Sequence, residues 1–275
     1  MSASITHRGE PQLDERVVVI TGAAAGIGRA TAERHAADGW TVVAVDTDAD
    51  ACAALESELP QLTSVVGDVS DLAVLQAARE RAVSIGRLEA WVNNAAVLQG
   101  QPMLELDTAH IDAVLAVNVR AVVLGTRLAA EEFVRKGTRG SIVNISSVHA
   151  RLSFAGSTMY DTSKGAVEAL CRVVAAELGD RGIRCNAVAP GSVMTERALE
   201  ARRLAPQDAE PIPDWMLLSP AEIAEVVAFL TSPASSAING AVLPADRGLS
   251  VTFLGERRRP DDATASPEEE AEGGA

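Results

Sequence analysis

Val17-Val18-Val19-Ile20-Thr21-Gly22-Ala23-Ala24-Ala25-Gly26-Ile27-Gly28 is the stretch that decides the fold. A short continuous apolar run such as Val17 to Ile20 marks a strand buried on both faces. It runs directly into a glycine-rich loop, and a helical pattern begins inside that loop. Glycines let the backbone turn tightly and approach a pyrophosphate closely, while a helix start offers unpaired N–H groups and the positive end of its dipole. Any tight turn recruits glycine, so the loop alone is weak evidence; set between a buried strand and a helix, it reads as a dinucleotide cradle.

Outward from this stretch, strand and helix patterns alternate. Strands are predicted at 17–20, 41–45, 62–66, 90–93, 141–145, 184–188 and 241–244, and helices at 26–38, 49–59, 72–85, 109–135, 159–179 and 220–230. Repeated β-α-β units with buried strands predict one α/β domain, a doubly wound parallel sheet (Rossmann fold) with helices on both faces. The domain is expected over 16–255, after a polar leader at 1–15. Residues 256–275 hold Arg257-Arg258-Arg259 and Glu268-Glu269-Glu270. This tail has too little apolar surface to offset chain entropy and is expected to be disordered.

Composition agrees with one domain of 275 residues. Apolar residues make up 47% of the chain and aromatics 3%, so the core must be built from Ala, Val and Leu. A net charge of -14 repels phosphate backbones and anionic lipid, which argues against nucleic acid and membrane partners. Lys136 and Lys164 are the only lysines, a composition that fits a GC-rich genome or a salt-adapted surface equally. Cys52, Cys171 and Cys185 show no CxxC pairing, so no zinc site or disulfide framework is expected. They read as small apolar fillers in a reducing compartment. With no signal-like start and no run of 18 apolar residues, a cytoplasmic protein is expected.

Asp46 ends the second predicted strand, eighteen residues after Gly28. A carboxylate there can accept from both adenosine ribose hydroxyls and would repel a 2′-phosphate. No Arg or Lys lies in 23–25 or 46–50 to offset that repulsion, so NAD(H) is expected over NADP(H). Tyr160, the sole tyrosine, and Lys164 stand four apart at the start of a long helix and share one face. A phenol with a reference pKa of about 10 is a poor base at neutral pH. A nearby ammonium and a bound oxidised nicotinamide are expected to lower it by about 2–3 units, poising Tyr160 for proton transfer.

Together the 21–28 loop, Asn93-Asn94-Ala95-Ala96, Asn118, Ser146-Ser147, Tyr160-x-x-x-Lys164 and Pro190-Gly191 resemble the short-chain dehydrogenase/reductase family across about 16–250. Ser147, thirteen residues before Tyr160, has the family's spacing and is preferred to Ser146. The resemblance implies a catalytic group of Asn118, Ser147, Tyr160 and Lys164. Ser147 would hold the substrate oxygen, Tyr160 would exchange its proton, Lys164 would also hold the nicotinamide ribose, and Asn118 would position a linking water. It implies that Gly22, Gly26, Ile27 and Gly28 cradle the cofactor with Asp46. Asp68 and Val69 would sit at the adenine, Asn94 and Ala95 on the adenosine side, and Pro190, Val193 and Thr195 at the carboxamide. Two positions depart from the family: Ala96 and Arg247 stand where glycine is usual.

Substrate identity is less legible. The irregular stretch 196–219 should cover the pocket, and its Leu199, Leu204, Ile212, Trp215, Met216, Leu217 and Leu218 fit either an apolar substrate or local packing. His149, two residues beyond Ser147, reads as a substrate contact or as a hydrogen-bonded structural residue. Three functions compete: an NAD-linked dehydrogenase acting on a small-molecule secondary alcohol, a ketone or 3-oxoacyl reductase, and a catalytically silent NAD(H) sensor. In the 109–135 helix, Ile111, Val114, Leu115, Val117, Val119, Val122, Val123, Leu124 and Leu128 exceed one apolar stripe. That excess suggests burial against a partner, in line with the homotetramers the resemblance implies.

Overall fold

The computed structural model describes residues 15–204 and 213–252, without the side chains of 201–204. Residues 1–14 of the expected leader, the tail at 256–275 and Ile212 lie outside the described residues. In chain order the first half runs β1 (Arg16–Thr21), α1 (Gly26–Ala37), β2 (Thr41–Asp46), α2 (Ala49–Glu58), β3 (Leu62–Val66), α3 (Leu72–Ile85) and β4 (Arg87–Asn93). The second half continues with α4 (Thr108–Leu115), α5 (Val122–Lys136), β5 (Ser141–Ile145), α6 (Thr158–Leu178) and β6 (Arg184–Pro190). It ends with β7 (Ser192–Val193), α7 (Glu196–Leu204), β8 (Leu217–Leu218), α8 (Pro220–Thr231) and β9 (Val242–Ala245).

Seven of these strands form one parallel sheet in the order β3-β2-β1-β4-β5-β6-β9. The fold is the expected doubly wound Rossmann sheet. β1 runs apolar without a break because successive side chains enter different cores. Val17 and Val19 pack with Leu75 of α3, Phe133 of α5 and Cys171 of α6. Val18 and Ile20 face the opposite way, against Ala32 and Ala36 of α1 and Ile223, Val227 and Leu230 of α8. His35 ties α1 to α8 on that second side, its ring nitrogens 2.8 Å from the Thr31 carbonyl and 2.9 Å from Thr231 Oγ1.

The chain order reverses between β1 and β4, and the connections leaving these neighbours pass to helices on opposite faces, which leaves a crevice. Four of the helices have side-chain-capped starts. Asp48, Asp71 and Asp107 accept backbone N–H groups at the starts of α2, α3 and α4, and Ser219 with Glu222 forms a capping box on α8.

Three elements differ from the sequence reading. β4 starts at Arg87 rather than 90, because its polar first residues are held from outside: the Arg87 N–H donates to the Glu15 carbonyl (2.8 Å) and Arg16 pairs with Glu89 (2.8 Å). The helix expected at 109–135 is broken by a π segment, Ala116–Ala121, between α4 and α5. By length and composition the run Thr108–Lys136 is apolar enough to cross a membrane, yet Leu128, Ala129 and Phe133 are spent on the sheet's core. β7 and β8 pair as a two-stranded parallel sheet, so the 196–219 stretch is anchored at its start and end.

Candidate active site

β1 delivers Thr21 and Gly22 to the crevice. The Thr21 Oγ1 accepts the N–H groups of Asn94 (3.0 Å) and Ala95 (3.1 Å), and Asn94 Nδ2 donates back to the carbonyls of Thr21 and Gly22 (2.9 Å each). These bonds lock the end of β1 to the loop after β4. Gly22 has φ +65°, and a Cβ there would lie 2.9 Å from Ala95 Cα. At Gly28 a Cβ would lie 1.9 Å from the Gly22 carbonyl oxygen, so only glycine lets α1 start this close to the strand. α1 has no side-chain cap, and its first residues, Gly26 and Ile27, line the cleft. An uncapped helix start over glycines is a cradle that suits an anionic diphosphate, so the residues present fit a dinucleotide.

Asp46 stands beside the cradle at the end of β2. Its Oδ2 accepts the Ala24 N–H (2.9 Å) and its Oδ1 the Asp48 N–H (3.2 Å). A carboxylate has about four acceptor positions, so both oxygens keep capacity for ribose hydroxyls. No ion pair to Asp46 occurs among the described residues. The cleft, about 1300 Å³, continues past Asp68, Val69, Asn94 and Ala95 to Ser147, Tyr160, Lys164, Pro190, Val193 and Thr195. All the residues expected at the site therefore line it except Gly28 and Asn118, which lie behind its wall.

At the far end, β5 and α6 place the reactive groups. Lys164 is 3% exposed, and its Nζ donates to the Ile145 carbonyl (2.8 Å) at the end of β5. Burial draws its pKa down to about 8. The Nζ lies 5.4 Å from the centroid of the Tyr160 ring. Without the dinucleotide the Tyr160 phenol lies above its ordinary value: desolvation by burial is the largest cause, the Ser147 hydroxyl opposes it, and the Asp161 carboxylate adds to the rise.

Asn118 makes three hydrogen bonds within the fold. Its Oδ1 accepts the Val97 N–H (2.7 Å), and its Nδ2 donates to the Val97 carbonyl (2.9 Å) and to Ser163 Oγ (3.2 Å). The side chain thus pins the loop after β4 to α6, and it does not touch Lys164. Sequence reasoning missed three supports. Asn93 Nδ2 donates to Asn144 Oδ1 (2.7 Å) and bridges β4 to β5 under the cleft. Ile145 matters only through its carbonyl, which no side-chain pattern reveals. Asp161 holds His149, Nδ1 to Oδ1 at 2.7 Å, a pairing across twelve residues that only the fold creates. The Asn93-Asn94 doublet was the available signal for the first of these.

Fold and cleft together define the class, a Rossmann-fold dehydrogenase or reductase. Residues 22–250 match the family described as enoyl-(acyl carrier protein) reductase. Galactitol 2-dehydrogenase (L-tagatose-forming) of Cereibacter sphaeroides is 35% identical over 253 residues, which cover 87% of this chain and 97% of that protein. D-threitol dehydrogenase of Mycolicibacterium smegmatis is 35% identical over 247 residues, covering 87% of this chain and 95% of its own. A solved short chain dehydrogenase/reductase family protein has a TM-score of 0.79 at 32% identity, over 88% of this chain and 100% of its own. The chain belongs to the short-chain dehydrogenase/reductase family.

Substituting Gly28→Ala should separate cradle from fold. The expected result is an NADH affinity weakened by at least about 100-fold in a fluorescence titration, since the loop must move away from α1, with a melting temperature lowered by only a few degrees. An affinity equal to the unaltered chain would contradict the cradle geometry.

Proposed function

We propose that this chain is an NAD(H)-dependent oxidoreductase that interconverts a secondary alcohol and a ketone, with Ser147, Tyr160, Lys164 and Asn118 as its catalytic group. The observation that carries the reading is the convergence of a half-buried phenol, a buried amine and a glycine cradle on one cleft. A nicotinamide held in this cleft would supply the hydride acceptor or donor and, when oxidised, a positive charge. In the oxidative direction the Tyr160 oxygen takes the hydroxyl proton as the C–H pair departs; in reduction it returns that proton to the carbonyl oxygen. Ser147 holds the same oxygen and orients it. Lys164, kept next to the ring by the Ile145 carbonyl, stabilises the phenolate that forms.

Asp46 supports NAD(H) over NADP(H), because no cation pairs with it among the described residues to balance a second anionic group. Gly22, Gly26, Ile27 and Gly28 would hold the diphosphate, with Asp68, Val69, Asn94 and Ala95 around the adenosine and Pro190, Val193 and Thr195 at the carboxamide. Asn118 serves by fixing the Val97 loop and α6 in register. The names of the two relatives, a galactitol and a threitol dehydrogenase, favour an alcohol dehydrogenase over a 3-oxoacyl reductase or a silent sensor. We also propose a homotetramer, supported by Leu115, Val123 and Val134 on α4 and α5 and Val173 on α6, apolar yet exposed. A cytoplasmic location fits the three free, buried cysteines.

An NAD+-coupled oxidation screen over sugars, sterols, diols and aliphatic secondary alcohols tests the function. Turnover is expected with NAD+ in preference to NADP+, and Tyr160→Phe should lower kcat by at least about 1000-fold while NADH affinity stays within about threefold. Near-normal turnover in that variant, or tight NADH binding without turnover of any alcohol, would overturn the mechanism. Light scattering at micromolar concentration should give four times the chain mass of 28.6 kDa; a monomeric mass contradicts the assembly.

A further inference from the structure

We propose that His149 determines specificity by accepting a hydrogen bond from a second substrate hydroxyl, next to the reacting carbon, so that the enzyme prefers vicinal diols and α-hydroxy ketones to monohydric alcohols. The inference deepens the function proposed above and rests on it.

His149 sits in the 3-10 turn Val148–Ala150, directly after Ser147, and lines the same cleft as Ser147 and Tyr160. Three contacts fix its ring. Nδ1 lies 2.7 Å from Asp161 Oδ1, the face stacks on Phe154 with centroids 4.1 Å apart at 25°, and the edge meets Tyr160 at 5.3 Å and 80°. Asp161 is held in turn, its Oδ2 accepting the Phe154 N–H (3.1 Å). With the Phe154 N–H on its Oδ2, Asp161 takes the Nδ1 hydrogen on Oδ1, which leaves Nε2 as the ring nitrogen for a ligand.

That Nε2 has no hydrogen-bond partner among the described residues and is not among their buried unpaired polar atoms, so it is accessible, in a residue that lines the cleft. The other deep histidine shows the contrast: His35 is fully buried and uses both nitrogens on threonine oxygens. The position of Asp161 also calls for a reason beyond the phenol. A carboxylate one residue from Tyr160 opposes phenolate formation, yet it is the group that aims His149.

The wall also carries the apolar side chains of Val97, Leu98, Phe154, Val193 and Leu217, beside polar groups such as Ser157, Ser192 and Glu196. A substrate whose neighbouring carbon bears no hydroxyl would cover Nε2 with hydrocarbon and leave it unpaired. A site built to pair with a substrate hydroxyl discriminates against analogues that lack it far more strongly than an apolar pocket discriminates by shape. Reacting oxygen on Ser147 and Tyr160, neighbouring oxygen on His149, and carbon skeleton against the apolar wall make one consistent placement.

The test compares kcat/KM with saturating NAD+ for carbon-matched pairs: a vicinal butanediol against secondary butanol, and vicinal cyclohexanediol against cyclohexanol. The unaltered enzyme should favour the diol of a pair by about tenfold or more. His149→Leu should reduce kcat/KM on diols by about 10–100-fold, largely through KM, and bring the diol-to-alcohol ratio near one. His149→Gln, which keeps a polar amide in reach, should recover part of that ratio, and NADH titration of both variants should show that the cofactor site is intact. An unaltered ratio in His149→Leu, equal loss on both members of a pair, or wild-type activity without diol preference overturns the role of His149 and leaves the proposed function standing. Wild-type inactivity on both members of both pairs and across the wider alcohol screen overturns the proposed function, and this inference with it.

Discussion

A lysine amine taken out of water has to be held by something, and here it is held by one carbonyl oxygen at the end of a strand. The Lys164 Nζ donates to Ile145 at 2.8 Å, on the central sheet's carboxyl edge. Burying an ammonium is costly unless it is hydrogen-bonded or lets its proton go, and its pKa of about 8 records the balance. That arrangement requires β5 to end where it does and α6 to cross it with Tyr160 one turn before Lys164. Asn93 and Asn144, paired at 2.7 Å below, keep β4 and β5 in register for it. Everything reactive at the far end of the cleft is measured from this bond.

The other end of the cleft depends on an equally local constraint. Gly28 leaves room for α1 to begin against the Gly22 carbonyl, and Thr21 and Asn94 clasp the two strands at the point where the sheet's order reverses. Between the two ends, the same switch point that makes the fold doubly wound also opens the space for a ligand. Fold and site are thus two consequences of one strand order.

Much of this was legible in the residues. The unbroken apolar run of β1 signalled burial on both faces, and the glycine loop behind it located the cradle. Tyr160 and Lys164 announced themselves by rarity and spacing. What escaped was what side-chain patterns do not encode. Ile145 acts through its backbone, so its identity carries no signal. The π segment at Ala116–Ala121 has an ordinary helical composition, and only its geometry turns Asn118 toward Val97. The sign of the Tyr160 shift depends on burial, which spacing cannot report. The His149–Asp161 clamp joins a turn to a helix start, a contact fixed only once β5 and α6 are packed.

Tyr160 is the only tyrosine in the chain, which makes its ionisation directly observable. The ultraviolet absorbance of tyrosinate, followed against pH, reads this one phenol in the chain alone and in the chain saturated with NAD+. The account gives a midpoint above about 10 without the dinucleotide and a drop of about 2 units or more with it. A midpoint that NAD+ leaves above 10 would mean that the cleft does not make this oxygen a base, and the central claim would fail.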